Sequence, residues 1–215
     1  MFWQVSKIFA NDVGIDLGTS NTLVYVKGYG VVLSEPSIVA LNQKTGRVVA
    51  VGSDASQMIG RTPAHIQAIK PLVGGVISNY EVAEEMLSYF LKKAAELVGS
   101  NLLRPRVVVA VPSDISNVER RAVRDATISA GARAVHVIEQ PMSAAIGVGM
   151  PIFEPVGNMI VDIGGGTTDI AVISLGGLVK VKSLLIAGER FNQDTINYVK
   201  DEFKILLGER TAEEL

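Results

Sequence analysis

The chain of 215 residues has no cysteine. Disulfide scaffolds, thiolate zinc sites and cysteine nucleophiles are therefore excluded. Histidine is scarce too: His65 and His136 are the two in the chain, far apart in sequence, and each reads as an ordinary surface or packing residue. Neither charge sign is in excess: 20 Lys and Arg stand against 22 Asp and Glu, a formal net charge of −2. No basic footprint points to nucleic acid as a partner. No apolar run approaches the ~18 residues that a membrane-spanning helix needs. The first ten residues run straight into Asn11-Asp12, too short and too soon polar for a secretory signal. Two common nucleotide signatures are also missing: Gly-x-x-x-x-Gly-Lys-Ser/Thr, and Gly-x-Gly-x-x-Gly following a strand. What remains is a soluble, intracellular α/β protein, with 48% hydrophobic residues to build a core.

Apolar alternation and glycine punctuation predict strands over residues 13–17, 23–27 and 31–33, and a hairpin over 37–52 turning near Lys44-Thr45-Gly46. Ser78-x-x-Glu81 reads as a capping box opening a helix over 82–98, with Val82, Met86, Phe90, Ala94 and Leu97 on one face. A buried strand at 107–111, a helix capped by Ser116-x-x-Glu119 and ending at Gly131, a strand at 135–138, and a helix with Pro141 in its first turn follow. Then the pattern restarts. Residues 159–163, 170–174 and 179–186 read as three strands, before a helix over 191–207 and a capping box, Thr211 to Glu214.

The restart is an internal repeat. Asp16-Leu17-Gly18 aligns with Asp162-Ile163-Gly164, Thr22 with Thr168, Val26 with Val172 and Gly30 with Gly176, always 146 positions apart (16 to 162). The first copy runs on through two further strands with helices between. The second reaches only Leu215, so the chain reads as part of a longer two-lobed protein.

Each copy opens with a strand ending in Asp-x-Gly and a turn of small and hydroxyl residues. Such turns aim backbone N–H groups at one point and bind phosphate oxygens. Thr19, Ser20, Thr167 and Thr168 add hydroxyl donors. Asp16 and Asp162 would repel a phosphate unless a cation lies between, and Mg2+, which keeps its waters and takes one or two carboxylates, suits that place. Two such turns across a cleft would grip a triphosphate from both sides.

The segments 16–22 and 162–169 resemble the two phosphate motifs of the actin, Hsp70 and sugar-kinase ATPase superfamily. Glu139-Gln140-Pro141 with Ala144-Ala145-Ile146-Gly147 is similar to its connecting helix motif. Within that superfamily the chain most resembles the bacterial actins of the rod-shape-determining MreB family. The likeness is carried by Asn11-Asp12, 15–23, Leu33-Ser34-Glu35-Pro36-Ser37, Met58-Ile59-Gly60-Arg61-Thr62-Pro63, Gly75-Val76-Ile77, Val118-Glu119-Arg120-Arg121-Ala122 and Ala130-Gly131-Ala132.

The resemblance implies an α/β, actin-like ATPase fold of two ribonuclease H-like lobes, the first complete with a small inserted subdomain and the second partial. On that plan 1–12 is an apolar arm, 13–30 and 78–150 the first lobe, with helices on both faces of its sheet, 31–77 an outer subdomain, and 151–215 the start of the second lobe. It implies ATP and ADP as ligands with Mg2+, slow hydrolysis, and assembly of copies into filaments. Gly18, Thr19, Ser20 and Asn21 would meet the phosphates from one side, and Gly164, Gly165, Gly166, Thr167 and Thr168 from the other. Asp16 and Asp162 would hold Mg2+ through water, and Glu213 matches the adenosine-contact helix. Close relatives carry Glu before the proline, where this chain has Gln140. An amide orients water where a carboxylate accepts its proton, so Gln140 is the expected water-orienting group, assisted by Thr167, with Glu139 the weaker candidate.

The family also implies a location in the cytoplasm, peripheral on the inner face of the plasma membrane, and work with the cell-wall elongation machinery. Phe2, Trp3, Ile8 and Phe9 in the arm, and Leu102 and Leu103 in a turn, are the candidate membrane contacts. The rival readings on the same fold are a sugar or acetate kinase and an Hsp70-like ATPase. The first needs an aspartate base that no clear residue supplies, and the second a longer lobe and a peptide-binding domain.

Overall fold

The computed structural model describes residues 12–61, 63–99 and 104–215. The apolar arm, including Phe2, Trp3, Ile8 and Phe9, and the pair Leu102-Leu103 lie outside the described residues.

The chain opens with a meander of β1 (Asp12–Leu17), β2 (Asn21–Val26) and β3 (Gly30–Pro36). A small sheet follows, built from β4 (Val39–Asn42), β5 (Arg47–Val51) and, after the short helix α1 (Ser53–Met58), β6 (Ile66–Ile69); its order is β5-β4-β6. A two-stranded ladder, β7 (Leu72–Val73) with β8 (Val76–Ile77), leads into helix α2 (Tyr80–Leu97). Strand β9 (Arg106–Val111), helix α3 (Asn117–Ser129), strand β10 (Ala134–Glu139) and helix α4 (Gln140–Gly147) complete the first lobe. The second lobe contains β11 (Asn158–Ile163), β12 (Thr168–Ser174), β13 (Gly177–Leu184), α5 (Gly188–Phe203) and α6 (Glu209–Glu214).

The main sheet has the order β10-β9-β1-β2-β3, antiparallel in the meander and parallel where β9 joins β1 and β10 joins β9. Because β3 pairs with β2 here, the separate outer sheet begins at Val39, later than the 31–77 plan places it.

Alternation decides which face is covered. Val13, Ile15 and Leu17 of β1 are buried with Val107 and Val109 of β9, under Met86, Leu87, Phe90 and Ala94 of α2 and Val123 and Ala126 of α3. Phe90 is wholly enclosed, and truncating such a ring costs about 3–5 kcal/mol. Both helices bury residues in this one cluster. The opposite face, with Gly14, Tyr25, Val31 and Val108, borders an apolar groove of about 360 Å³ edged by Ser143 and Gly147 of α4. The sheet is thus covered by α2 and α3 on one side and approached on the other by α4, which contacts β9 and β10. Helices lie on both faces as expected, but the second face is covered only at one edge. The reason is that α4 turns to the second lobe: Ala145 and Met142 pack with Ile152, Ile160 and Ile173. In the second sheet, β11-β12-β13, the face of β11 carrying Met159, Val161 and Ile163 is exposed.

Local signals held in part. Ser116 and Glu119 form the reciprocal capping box of α3, and Glu119's carboxyl lies below its ordinary range because the Ser116 hydroxyl and N–H donate to it. Helix α2 is capped differently from the Ser78 reading. Asn79 accepts from the Val82 N–H at 3.1 Å, while the Ser78 hydroxyl donates to the Pro71 carbonyl at 3.0 Å. Helix α5 starts at Gly188, ahead of residue 191, and stops at Phe203, before left-handed Lys204. Thr211 lies inside α6, whose cap is Gly208, so it opens no helix.

Candidate functional site

The two sequence repeats become two hairpins of matching register. Asp16 faces Leu23 and Leu17 faces Thr22 across β1–β2; at the same spacing Asp162 faces Asp169 and Ile163 faces Thr168 across β11–β12. The connecting turns, 18–21 and 164–167, each begin with glycine for the same steric reason. A Cβ on Gly18 would lie 2.5 Å from the Asn21 carbonyl oxygen, and one on Gly164 would lie 3.2 Å from that of Thr167.

Each turn is braced from behind by the chain that follows its third strand. The Ser37 N–H donates to the Ser20 carbonyl at 2.9 Å and its hydroxyl to the Gly18 carbonyl at 2.6 Å. The Gly188 and Glu189 N–H groups donate to the Gly164 and Gly165 carbonyls at 3.1 and 2.8 Å. The turns meet tip to tip. A Cβ on Gly165 would overlap the Ser20 side chain, and one on Gly166 would come within 2.6 Å of the Thr19 hydroxyl oxygen. Glycine at 165 and 166 is thus what lets the lobes approach.

Beside this contact lies a cavity of about 340 Å³. Its lining includes Asp16, Gly18, Thr19, Ser20, Asn21, Gln140, Asp162, Gly164, Gly165, Gly166, Thr167 and Asp169. Most of the residues singled out in the sequence therefore share one space. Burial lifts the Asp16 carboxyl above its ordinary value, offset by a hydrogen bond from the Gln140 amide Nε2 at 2.9 Å. Asp162 is lifted also, first by burial and then by the negative charges of Asp16 and Asp169. Three carboxylates around one cavity favour a cation there. Among the described residues no three acidic or imidazole groups are close enough to grasp an ion directly. The donor set therefore fits a hydrated ion held through water rather than a dehydrated one.

Two candidates are spent elsewhere. The Thr168 hydroxyl donates to the Ile186 carbonyl at 2.7 Å, bracing the second hairpin as Thr22 braces the first through Ser37. The Glu139 carboxylate is paired with Arg120 at 2.8 Å and is absent from the cavity lining, which leaves Gln140 as the side chain of α4 that reaches it. A second cavity, about 580 Å³, shares Ser20, Asn21, Gly164 and Gly165 with the first and is also lined by Gln193, Glu209 and Glu213, so Glu213 borders the space adjoining the two turns.

Three residues in the site escaped the sequence reading. Buried Asp169 accepts from the Ser113 N–H at 3.2 Å and the Ser183 hydroxyl at 2.5 Å, linking the two lobes. Gly75 donates its N–H to the Thr19 hydroxyl oxygen at 2.8 Å. Lys70 lines the second cavity. Asp169 was legible as the last residue of the second motif and Gly75 as the first of the Gly75-Val76-Ile77 segment, though neither was given a site role; Lys70 carries no local signal.

Mbl, a cell shape-determining protein of Bacillus subtilis 168, is 51% identical over 208 residues, covering 97% of this chain and 62% of that protein. MreB, a cell shape-determining protein of Escherichia coli K12, is 51% identical over 214 residues, covering 97% of this chain and 61% of that protein. The chain thus spans about three-fifths of these relatives' length. The crystal structure of MreB5 of Spiroplasma citri bound to ADP superposes with a TM-score of 0.87 at 38% identity, covering 95% of this chain and 61% of that one. Its AMPPNP-bound form gives 0.86 at 39% identity. The double helical filament of MamK, at 23% identity and a TM-score of 0.76, shares the fold. The fold is actin-like, and with the MreB/Mbl family matching residues 10–215, the chain belongs to that family.

Proposed function

We propose that the protein is an ATP-binding, filament-forming cytoskeletal protein that hydrolyses ATP slowly and acts at the inner face of the cytoplasmic membrane to direct cell-wall synthesis and rod shape. The observation that carries the nucleotide reading is the pair of matched glycine turns closing on one carboxylate-lined cavity. Nucleotide-bound relatives support it.

In this reading the N–H groups of 18–21 and 165–167 donate to the phosphate oxygens, with hydroxyls of Thr19, Ser20 and Thr167 beside them, while the Gly164 N–H is held by the Thr167 carbonyl at 2.8 Å. The nucleoside lies along the second cavity towards Glu213. Asp16 and Asp162 hold Mg2+ through water; the ion supplies charge neutralisation to phosphates that these carboxylates would otherwise repel. Gln140 gives its amide N–H to Asp16, which leaves the carbonyl Oε1 to accept from a water. That water, ordered by Gln140 and Thr167, adds its oxygen to the γ-phosphorus as the bond to the β–γ bridging oxygen breaks. Its proton passes to phosphate, and ADP and inorganic phosphate leave. An amide positions the water without taking its proton, which suits a slow reaction.

Self-association is read from the family and from the filament of a protein with the same fold. Membrane attachment is assigned to Phe2, Trp3, Ile8, Phe9, Leu102 and Leu103 on their apolar character; repeated along a filament, weak anchors add. No helix among the described residues is long and apolar enough to cross a membrane. Light scattering on adding Mg-ATP tests assembly: growth that needs both Mg2+ and ATP supports the reading, and an unchanged monomer that phosphorylates a sugar overturns it. Sedimentation with anionic liposomes tests attachment. Trp3→Ala with Leu103→Ala should release the filaments, and unchanged binding would remove these residues from the membrane site.

A further inference from the structure

A nucleoside polyphosphate brings several negative charges into a cleft that is already acidic. The first cavity is lined by Asp16, Asp162 and Asp169, and the second by Glu189, Glu209 and Glu213. Among the described residues lining either one, a single basic side chain occurs, Lys70. It follows β6 and precedes Pro71, whose carbonyl is fixed by the N–H and hydroxyl of Ser78 at 2.9 and 3.0 Å, so its backbone is held.

The Lys70 ammonium donates to Glu189 Oε1 at 2.6 Å. Glu189 stands in the first turn of α5, and its own N–H donates to Gly165 in the second hairpin tip. The pair therefore ends beside the phosphate-facing turn. Of the salt bridges among the described residues, it alone joins the part before residue 150 to the part after it. Both side chains are about two-fifths exposed, at 43% and 40%. A pair so open to water contributes little. An ammonium against phosphate in a partly dry cleft makes a stronger, charge-assisted bond. Exchange of one partner for the other is therefore downhill, and it needs only rotation of a long flexible side chain.

We propose that Lys70 is a phosphate-binding residue of the nucleotide site, held at the cleft by Glu189 in the empty protein and transferred to the polyphosphate of a nucleoside di- or triphosphate when one binds. This rests on the nucleotide reading above. Glu189 acts as a positioning residue: it keeps the ammonium aimed at the cleft, and it yields to a more highly charged partner. A lysine serves as a point charge without fork geometry, so arginine should replace it in this role.

Isothermal titration calorimetry in Mg2+ with ADP, AMPPNP and adenosine, on the unsubstituted chain and on Lys70→Gln, Lys70→Arg and Glu189→Gln, tests this. Lys70→Gln should weaken ADP and AMPPNP about tenfold, leave adenosine unchanged, and flatten the salt dependence of ADP binding. Lys70→Arg should bind ADP within about twofold of the parent. Glu189→Gln, which breaks the same pair while freeing the lysine, should bind ADP as tightly or a few-fold more tightly. The proposal is overturned if Lys70→Gln leaves ADP affinity unchanged, or if Lys70→Gln and Glu189→Gln weaken it alike, which would make the pair a lobe contact alone. If the unsubstituted chain binds neither nucleotide, the nucleotide reading fails and this one fails with it.

Discussion

Replacing Gly165 by alanine isolates the tip-to-tip contact. Gly165 does not have a positive φ, so alanine meets no backbone penalty there and the effect is steric. The added Cβ would sit 2.6 Å from the Ser20 Cβ. Carbon atoms rest about 3.5–4.0 Å apart, so the hairpins must separate by roughly 1 Å. Neither can yield easily, because Ser20 is tied by the Ser37 N–H and Gly165 by the Glu189 N–H. Overpacking of this kind costs about 1–3 kcal/mol. In a chain this long that is a fall of roughly 2–10 °C in Tm. The phosphate-facing N–H groups also move, so ADP affinity should drop at least about tenfold. Two companions sharpen the test. Ser20→Gly removes the opposing side chain and should recover most of the lost stability, giving a coupling of about 0.5–3 kcal/mol between the sites. Gly188→Ala, whose Cβ would be no closer than 3.5 Å to its neighbours, should be neutral or slightly stabilising. Urea unfolding of the parent, the two single variants, their double variant and Gly188→Ala decides it. A Gly165→Ala protein as stable as the parent, or showing no coupling to Ser20→Gly, would refute the claim that the tips touch.

Asp162 is charged where burial and two neighbouring carboxylates disfavour it, so its carboxyl is raised above the unfolded value. Such a group costs stability above its folded pKa, and the cost fades as pH falls through that value. Asp162→Asn should therefore stabilise the nucleotide-free protein at pH 7, with the gap over the parent closing towards about pH 4, and it should abolish the added stability given by Mg-ADP; a gap that widens in acid contradicts this. Lys93 is raised by its hydrogen bond to buried Glu35, so that pair's contribution should be constant through neutral pH and fade only in strong alkali. Replacing Glu35 by alanine also strips the Ser53 N–H of its acceptor and should cost about 1–3 kcal/mol, measurable by urea unfolding. Ser116→Ala should cost about 1 kcal/mol by loss of the cap, whereas Thr211→Ala, inside α6, should change stability by less than about 0.5 kcal/mol. Equal losses would contradict the cap assignment.

The twin hairpins were legible in the sequence because their geometry is local. An Asp-x-Gly ending, a four-residue turn and a strand on each side are all written within a dozen residues, and the spacing of 146 carried the register from one copy to the other. Boundaries set by competition were less legible. Ser78 and Asn79 are both good caps, and Asn79 won because Pro71 claimed the Ser78 hydroxyl. Thr168 has the look of a phosphate ligand, yet the carbonyl it serves, Ile186, lies 18 residues away. Gln140 was ranked ahead of Glu139 from the motif alone, and the fold gives the physical reason by putting Arg120 beside Glu139 and Asp16 beside Gln140. Lys70 enters the cleft from the connection between β6 and β7, whose position depends on the whole lobe, and no neighbour in sequence marks it; Gly75 lies in a segment marked by its resemblance, but its bond to Thr19 spans 56 residues.

The most direct test is a crystal structure of the protein with Mg2+ and AMPPNP. The β- and γ-phosphates should lie between the turns 18–21 and 164–167, within hydrogen-bonding distance of their N–H groups, with the adenosine towards Glu213. A nucleotide seated in the apolar groove beside α4, or anywhere else away from the two turns, would contradict the account.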